Sequence, residues 1–278
     1  MKLTVIMVNY NQCNLLKQSL NSLIVAGKGI DYEVIIVDNA SCDNTIEMLG
    51  YQFPQFKVLA NQANEGIPKA YNRAIELAKG EYVLLVNADT ICGKDTLEKA
   101  LEFMDTHHDA SGAGVRMLTP QGKFLSESKR GLTKPWIAFF KLVGLARQFP
   151  KSRLNNRNRK EWVEEFQTTE VDILNGAFML LRRSVFNETG LLDERFVRFG
   201  YDIDLSYRMK LAGLKNYYFP KTYIINPKTQ AIPKFSWQYI KYFYGAMFIF
   251  AAKYLFKVPE IKVQGLPPVF KPQYEIER

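Results

Sequence analysis

Asp89 closes the run Leu84-Leu85-Val86-Asn87-Ala88-Asp89-Thr90, where an apolar stretch ends in a short polar cluster with one carboxylate. The apolar part reads as a strand buried on both faces, the kind that belongs to parallel sheets covered by helices. Its polar end then lies at the carboxyl edge of the sheet, where open α/β folds bind ligands. A carboxylate there can hold a divalent metal on a bound phosphate. The plainer role is a turn or helix N-cap residue. Asn9, Asp38 and Asn64 recur at the ends of other apolar runs. Asp38 can serve a ligand or cap the segment Ser41–Met48. Asp202 and Asp204 open a helical stretch, where acids complement the helix dipole by under about 1 kcal/mol each. Two positions apart, they cannot face the same way.

These groups need a scaffold, and the first hundred residues supply one. Buried-strand patterns at Leu3–Val8, Glu33–Val37, Lys57–Ala60 and Glu81–Val86 alternate with helical patterns. The first helix carries Leu16, Leu20, Leu23 and Ile24 and stops at Gly27. Others follow at Ser41–Met48, at Ile67–Lys79 before Gly80, and at Lys94–Met104. Strand and helix in alternation predict right-handed crossovers and a Rossmann-like parallel sheet. Neither GxGxxG nor the phosphate-cradling GxxxxGK[ST] follows the first strand. A nucleotide here must be held by side chains and a metal.

The second half is less regular. Strands are expected at Ala113–Leu118, Lys123–Ser128, Tyr217–Pro220 and Thr222–Ile225, with Val171–Leu181 a strand interrupted at Asn175-Gly176-Ala177. That interruption is either a β-bulge or a close backbone approach to a ligand. Asp202–Ala212 reads as a helix ended by Gly213, and Pro135–Phe149 as an aromatic amphipathic one. Lys151–Lys160 holds five basic residues and no acid. Trp237–Phe256 is a long apolar helix broken by Lys241 and Lys253. With the basic run it suits a membrane surface, or else packs on the core or on a second subunit as in a homodimer. Arg182, Arg183 and Arg195 are ordinary surface charges unless one reaches a phosphate.

The 278 residues carry a net charge of +9, which suits an anionic partner without choosing among nucleic acid, phosphorylated small molecules and membrane. Cys13, Cys42 and Cys92 are too few and too scattered for a disulfide framework or zinc site, so reduced thiols and a cytoplasmic location are expected. The first residues read as a strand rather than a signal peptide. No uncharged stretch reaches the ~20 residues that span a bilayer.

Taken together, the motifs resemble family-2 glycosyltransferases of the GT-A fold, rhamnosyltransferase-like members in particular, over Leu3 to about Leu255. The resemblance rests on Val8-Asn9-Tyr10-Asn11, Val37-Asp38-Asn39-Ala40-Ser41, the NxGxxxAxN pattern of Asn64, Gly66, Ala70 and Asn72, and the DxD-like Asn87-Ala88-Asp89-Thr90. It continues through Asn175-Gly176-Ala177-Phe178-Met179 with Arg182-Arg183, and through Leu192-Asp193-Glu194-Arg195-Phe196 and Asp202-Ile203-Asp204-Leu205. Two positions depart from it. Tyr201 stands where members carry an acid, and Asn226 where many carry a metal-binding His.

The resemblance implies a GT-A Rossmann-like, mostly parallel sheet flanked by helices, with a C-terminal acceptor-side region and a terminal helix. Residues 1–110 would form the nucleotide-sugar half, 111–234 the acceptor and catalytic half, and 235–278 a helix and tail contacting membrane or a subunit. Asn9, Tyr10, Asp38, Asn64, Gly66, Asn72, Asn87 and Asp89 would bind the nucleotide sugar, with Mg²⁺ or Mn²⁺ on Asp89. Asn175, Gly176, Ala177 and Tyr201 would face donor sugar or acceptor, and Asp202 would be the base, leaving Asp204 structural. The implied activity is inverting sugar transfer from a nucleoside-diphosphate sugar to a glycan or polyprenyl-linked acceptor in surface polysaccharide assembly. The implied place is the cytoplasm or the inner face of its membrane, without nucleic acid as a partner. The alternative is a catalytically degenerate nucleotide-sugar or glycan binder, or a scaffold, of the same fold. A nucleotide-sugar pyrophosphorylase is disfavoured, because Asn9-Tyr10-Asn11-Gln12 is no glycine-rich basic loop.

Overall fold

The computed structural model describes residues 1–130, 134–144, 165–227 and 236–254. The basic run 151–160 and the tail beyond Tyr254 lie outside the described residues. The chain enters as β1 (Leu3–Asn9), then α1 (Cys13–Ala26), β2 (Tyr32–Asp38), α2 (Thr45–Gln52), β3 (Lys57–Ala60), α3 (Ile67–Ile75) and β4 (Tyr82–Asn87). β1 pairs in parallel with β2 and β4, and β2 with β3. The spatial order is β3-β2-β1-β4, so the winding reverses between β1 and β4. The crevice at that reversal is where such sheets take ligands. Asn9 ends one flanking strand and Asn87 the other.

The side chains of these strands alternate between two apolar layers. Ile6, Val83 and Leu85 join α3 on one face, and Val5, Met7, Leu84 and Val86 join α1 on the other. Burial on both faces explains why the strands read as continuous apolar runs.

The second half extends the same sheet but mixes its directions. It comprises β5 (Ile91–Cys92), α4 (Thr96–Thr106), β6 (Ala110–Leu118), α5 (Glu127–Arg130), α6 (Lys134–Leu142), β7 (Thr169–Val171), β8 (Phe178–Arg182), α7 (Val185–Thr189), α8 (Tyr201–Leu211), β9 (Lys215–Ile225) and α9 (Trp237–Tyr254). β8 runs antiparallel to β4 and β6, while β6 and β9 are parallel. The parallel expectation therefore applies to the first half.

Several expected elements change. Lys123–Ser128 is not a strand: Phe124 makes one bridge to Leu118, and the chain then turns into α5. The interruption at Asn175–Ala177 is not a bulge, because β7 pairs with β9 and β8 with β4 and β6, so these residues cross between partners. Tyr217–Ile225 is one strand that slips register around Pro220, which cannot donate to the ladder. The terminal helix packs its inner face on the core. Phe243, Met247 and Phe250 are buried against a group that includes Trp136, Phe140 and Tyr207. Among the described residues no helix is long and apolar enough to cross a membrane.

Candidate active site

Three strand ends and two loops converge at the β1–β4 crevice. At the first, the turn after β2 folds on its own carboxylate. Asp38 Oδ1 accepts from Asn9 Nδ2 (3.0 Å) and Ser41 Oγ (2.6 Å), and Oδ2 from the Ser41 amide (2.9 Å). Asn9 and Asp38 are both buried, and Ala40 holds a left-handed backbone with φ 61°. Tyr10, the next residue, is exposed at the rim. Sequence reasoning missed Asn39 and Asn61. Asn61 Nδ2 donates to Asn39 Oδ1 (2.7 Å), and Asn39 Nδ2 donates to the Gly66 carbonyl (3.1 Å). Two asparagines at adjacent strand ends were the available signal.

The expected Asn64–Asn72 group divides. Asn64 Oδ1 accepts the Gly66 amide and shapes the turn. Gly66 has φ +86°, and a Cβ there would lie 2.9 Å from the Val197 carbonyl, so glycine is required on both counts. Asn72 exchanges hydrogen bonds with both backbone groups of Leu192 and donates to Glu194 (3.0 Å). Its amide joins α3 to the segment before α8 rather than reaching into the crevice.

The third strand end carries Asp89, which is buried in a turn closed by the Thr90 amide on the Asn87 carbonyl. The Ala177 carbonyl accepts from the Asn87 amide and from Thr90 Oγ1, each at 3.4 Å. One residue earlier, the Gly176 amide donates to Asp202 Oδ2 at 3.1 Å. A Cβ on Gly176 would sit 2.6 Å from Tyr201 Oη, so the loop passes because residue 176 has no side chain. Asn175, Gly176 and Ala177 therefore connect the Asp89 turn to the start of α8.

Burial pushes the Asp202 carboxyl up to about 6, against the amides of Gly176 and Ile203, which pull it down. The Tyr71 phenol is raised by burial and then by the nearby carboxylates of Asp89 and Asp202, so both acids lie within its field. Tyr71, whose hydroxyl donates to the Val86 carbonyl (3.2 Å), was not singled out from sequence. Its ring lies 6.0 Å from that of Tyr201. The position that the resemblance assigns to an acid is here a buried phenol. Asp204 takes no part in this crevice and is held by Arg208, Lys253 and Tyr254.

The arginines are elsewhere. Arg182 lies at the opposite end of β4, opposite Tyr82 in register, and binds the carbonyls of Ala110 and Met104. The Arg183 amide bonds Glu81 at that same end. Arg195 forks onto Asp193. Among the described residues no three His, Cys, Asp or Glu side chains cluster as a metal cage. Asp89 alone suits the other kind of hard-cation site, in which one carboxylate shares the ion with substrate phosphates. Continuing the β5–β9 register past Ile91 and Ile225 sets Asn226 opposite Thr90.

Known proteins resemble this chain in sequence and in fold. The chain is 26% identical over 261 residues to N-acetylglucosaminyl-diphospho-decaprenol L-rhamnosyltransferase of Mycobacterium tuberculosis, covering 90% of this chain and 84% of the relative. It is 35% identical over 112 residues to poly(ribitol-phosphate) β-N-acetylglucosaminyltransferase TarS of Staphylococcus aureus, covering 39% of this chain and 20% of that protein. Among solved structures, S. aureus TarS 1–349 in complex with UDP-GlcNAc superposes with a TM-score of 0.59 at 21% identity, over 91% of this chain and 66% of that one. The Pyrobaculum calidifontis mannosyltransferase PcManGT, in complex with GDP-Man and Mn²⁺, gives 0.56 at 19% identity, over 85% and 58%. At such identities these structures speak for the fold, which is GT-A. The model of glycosyl transferase family 2 matches residues 4–190, from β1 through the crevice strands and the Asn175–Ala177 loop to the end of α7, and the chain is a glycosyltransferase of that family.

Proposed function

We propose that this glycosyltransferase transfers a sugar, with inversion, from a nucleoside-diphosphate donor to a hydroxyl of a glycan or polyprenyl-linked acceptor in surface polysaccharide assembly. One observation carries the reading: the Asn175–Ala177 loop touches the Asp89 turn at one residue and Asp202 at the next. A donor anchored at Asn9, Asp38 and the Asp89 turn would present its anomeric carbon near that loop. Asp202 takes the proton of the acceptor hydroxyl as the acceptor oxygen bonds to the anomeric carbon and the bond to the diphosphate breaks. A single displacement of this kind inverts the configuration. A carboxyl held near 6 is mostly ionised at neutral pH, yet more basic than a solvated one.

Asp89 would hold the divalent metal, sharing it with the donor diphosphate. When bound, the ion would supply Lewis-acid stabilisation of the departing diphosphate. Asn9 and the Ser41 hydroxyl and amide keep Asp38 fixed for the nucleoside side.

The polyprenyl acceptor is supported by the outer face of α9. Trp237 and Phe248 are 77% and 71% exposed, with Ile240 and Tyr244 beside them and Lys241 between. An aromatic face with a basic residue suits the anionic inner leaflet, which we take as the peripheral location. Flotation with anionic vesicles tests this. Dimerisation through α9 without flotation would replace it.

Thermal unfolding with UDP, GDP, dTDP and CMP, each with and without Mn²⁺, tests the donor reading. A nucleotide at about 100-fold over its Kd adds ~2.7 kcal/mol, a rise of several degrees at roughly 2–4 °C per kcal/mol. No shift with any of the four overturns donor binding. A shift without transfer or donor hydrolysis leaves a binding protein.

A further inference from the structure

Asp202 is delivered by residues 191–200, a stretch of turns between α7 and α8. Such a stretch has no ladder of its own to fix it. Asn72 holds it at Leu192, and the Ile67 amide holds it at the Val197 carbonyl (2.9 Å). A third hold comes from the terminal helix. Lys253 Nζ donates to Asp193 Oδ2 (2.9 Å) and to Asp204 Oδ1 (2.7 Å). Asp193 lies near the start of the stretch, and Asp204 lies in the first turn of α8, two residues past Asp202. Tyr254 Oη adds a hydrogen bond to Asp204 Oδ1 (2.7 Å), and Arg208 Nε binds Oδ2 (2.9 Å). The side chains of Lys253, Asp193 and Asp204 are almost wholly buried.

We propose that Lys253 is a positioning residue for sugar transfer: by bridging Asp193 and Asp204 it fixes the first turn of α8 and so aims Asp202 at the Gly176 loop. The inference rests on Asp202 being the base. Stability alone is a poor reason for such a bridge, because apolar side chains of similar volume often replace buried ion pairs without loss. Fixing one geometry is a use that such groups serve in some proteins. Burial works to raise Asp193, but Arg195 and Lys253 overcome it and hold the carboxyl well below the usual range, so it stays charged. Burial and the Asp204 carboxylate raise the Tyr254 phenol, so it stays a donor. Asp193, Asp204 and Lys253 all lie beyond residue 190, where the family match ends.

The test uses the full chain with Lys253→Met, Lys253→Arg, Tyr254→Phe and Asp202→Asn. The readouts are nucleotide affinity, donor KM, kcat and the pH profile of kcat/KM. The titratable side chains known to sense Asp202 are Tyr71 on α3 and Tyr201 on its own helix, with Asp89 also near Tyr71. Both phenols are raised and uncharged in this range, so the acid limb of the profile reports Asp202. Folded Lys253→Met should bind nucleotide within about twofold of wild type and lose about ten- to a hundredfold in kcat, as expected for a misplaced reacting group. Its acid limb should move to lower pH as water reaches Asp202. Lys253→Arg should recover part of the loss. Tyr254→Phe should move both readouts the same way by less, and it decides the matter if Lys253→Met does not fold. Wild-type kcat, or an unmoved acid limb, in the folded variant overturns the proposal. Turnover in Asp202→Asn would instead overturn the base reading itself.

Discussion

The amide of Gly176 donates to Asp202 Oδ2 across 3.1 Å, and the carbonyl of the following residue, Ala177, accepts from the Asp89 turn. Contact with the proposed base and contact with the residues proposed to hold the diphosphate thus fall on adjacent residues. In the proposed reaction these two groups act on opposite sides of one carbon, and they are spaced by backbone, which varies less than side-chain rotamers. The absence of a side chain at 176 permits that spacing, since a Cβ would lie 2.6 Å from Tyr201 Oη and 3.3 Å from Asp202 Oδ2.

Gly176→Ala should therefore damage catalysis more than binding. The clash is steric, because the Gly176 backbone is not in the left-handed region. Overpacking of this kind costs about 1–3 kcal/mol, and relief requires Tyr201 or the loop to move. Turnover should fall at least about tenfold, while nucleotide affinity, which we propose is set at Asn9 and Asp38, stays within about twofold. Steady-state kinetics beside calorimetric titration separates the two. Near-normal turnover would show that the loop does not space the site.

Ionisation of Asp202 sets opposite trends for stability and rate. Its folded value, about 6, lies above the ordinary 3.8, so the folded state binds this proton more tightly than the unfolded one. The resulting stabilisation is complete below about pH 4 and is lost as pH rises through 6. Above that, the buried carboxylate is a liability of order 1–3 kcal/mol. Asp202→Asn should match wild type in chemical denaturation near pH 4 and exceed it at pH 8. Transfer should show the reverse, with wild-type kcat/KM rising with pH to a plateau around a midpoint near 6, and the variant inactive. Equal stability of the two proteins at pH 8 would show that burial does not strain this group.

Much of the first half of the fold was legible in the sequence, because each strand there is apolar throughout and each ends in a polar group. Periodicity locates such elements, and parallel crossovers admit few topologies. The second half was less legible because its partners are remote. Val171–Leu181 looks like one strand in sequence, yet its two parts pair with different neighbours. Asn72 matched a motif that suggests ligand binding, but the motif cannot show that Leu192, 120 residues on, takes its amide. Lys253 read as a break in an apolar helix, and its meaning depends on two aspartates it meets only in the fold. Tyr71 lacked any sign of chemistry until α3 brought it within the field of Asp89 and Asp202.

Metal affinity should depend on nucleotide. A single carboxylate gives a weak site for Mg²⁺ or Mn²⁺, and the diphosphate supplies the remaining charged oxygens. Titration of Mn²⁺ into the protein alone should give little heat, and titration in the presence of the preferred nucleoside diphosphate should give saturable binding. Asp89→Asn should abolish the Mn²⁺-dependent part of nucleotide affinity and leave the metal-independent part. Tight Mn²⁺ binding without nucleotide would show that another set of ligands holds the ion.

Asn72→Ala tests the joint between α3 and the segment that carries the proposed base. The side chain satisfies both the N–H and the C=O of Leu192, each at 2.9 Å and buried. Alanine leaves both unpaired, at about 1–3 kcal/mol for each buried group. The variant should unfold at lower urea by a total of roughly 2–6 kcal/mol with an unchanged slope. Because Ile67 and Lys253 still hold Val197 and Asp193, the segment should loosen near Leu192 rather than detach. Hydrogen exchange should then rise first at residues 191–194 and leave β1 and β4 protected. If Asn72 instead served only the nucleotide, stability without ligand would be unchanged and the loss would appear in nucleotide affinity alone. The two outcomes differ in a measurement that needs no substrate, so the role of this asparagine can be settled before the donor sugar is known.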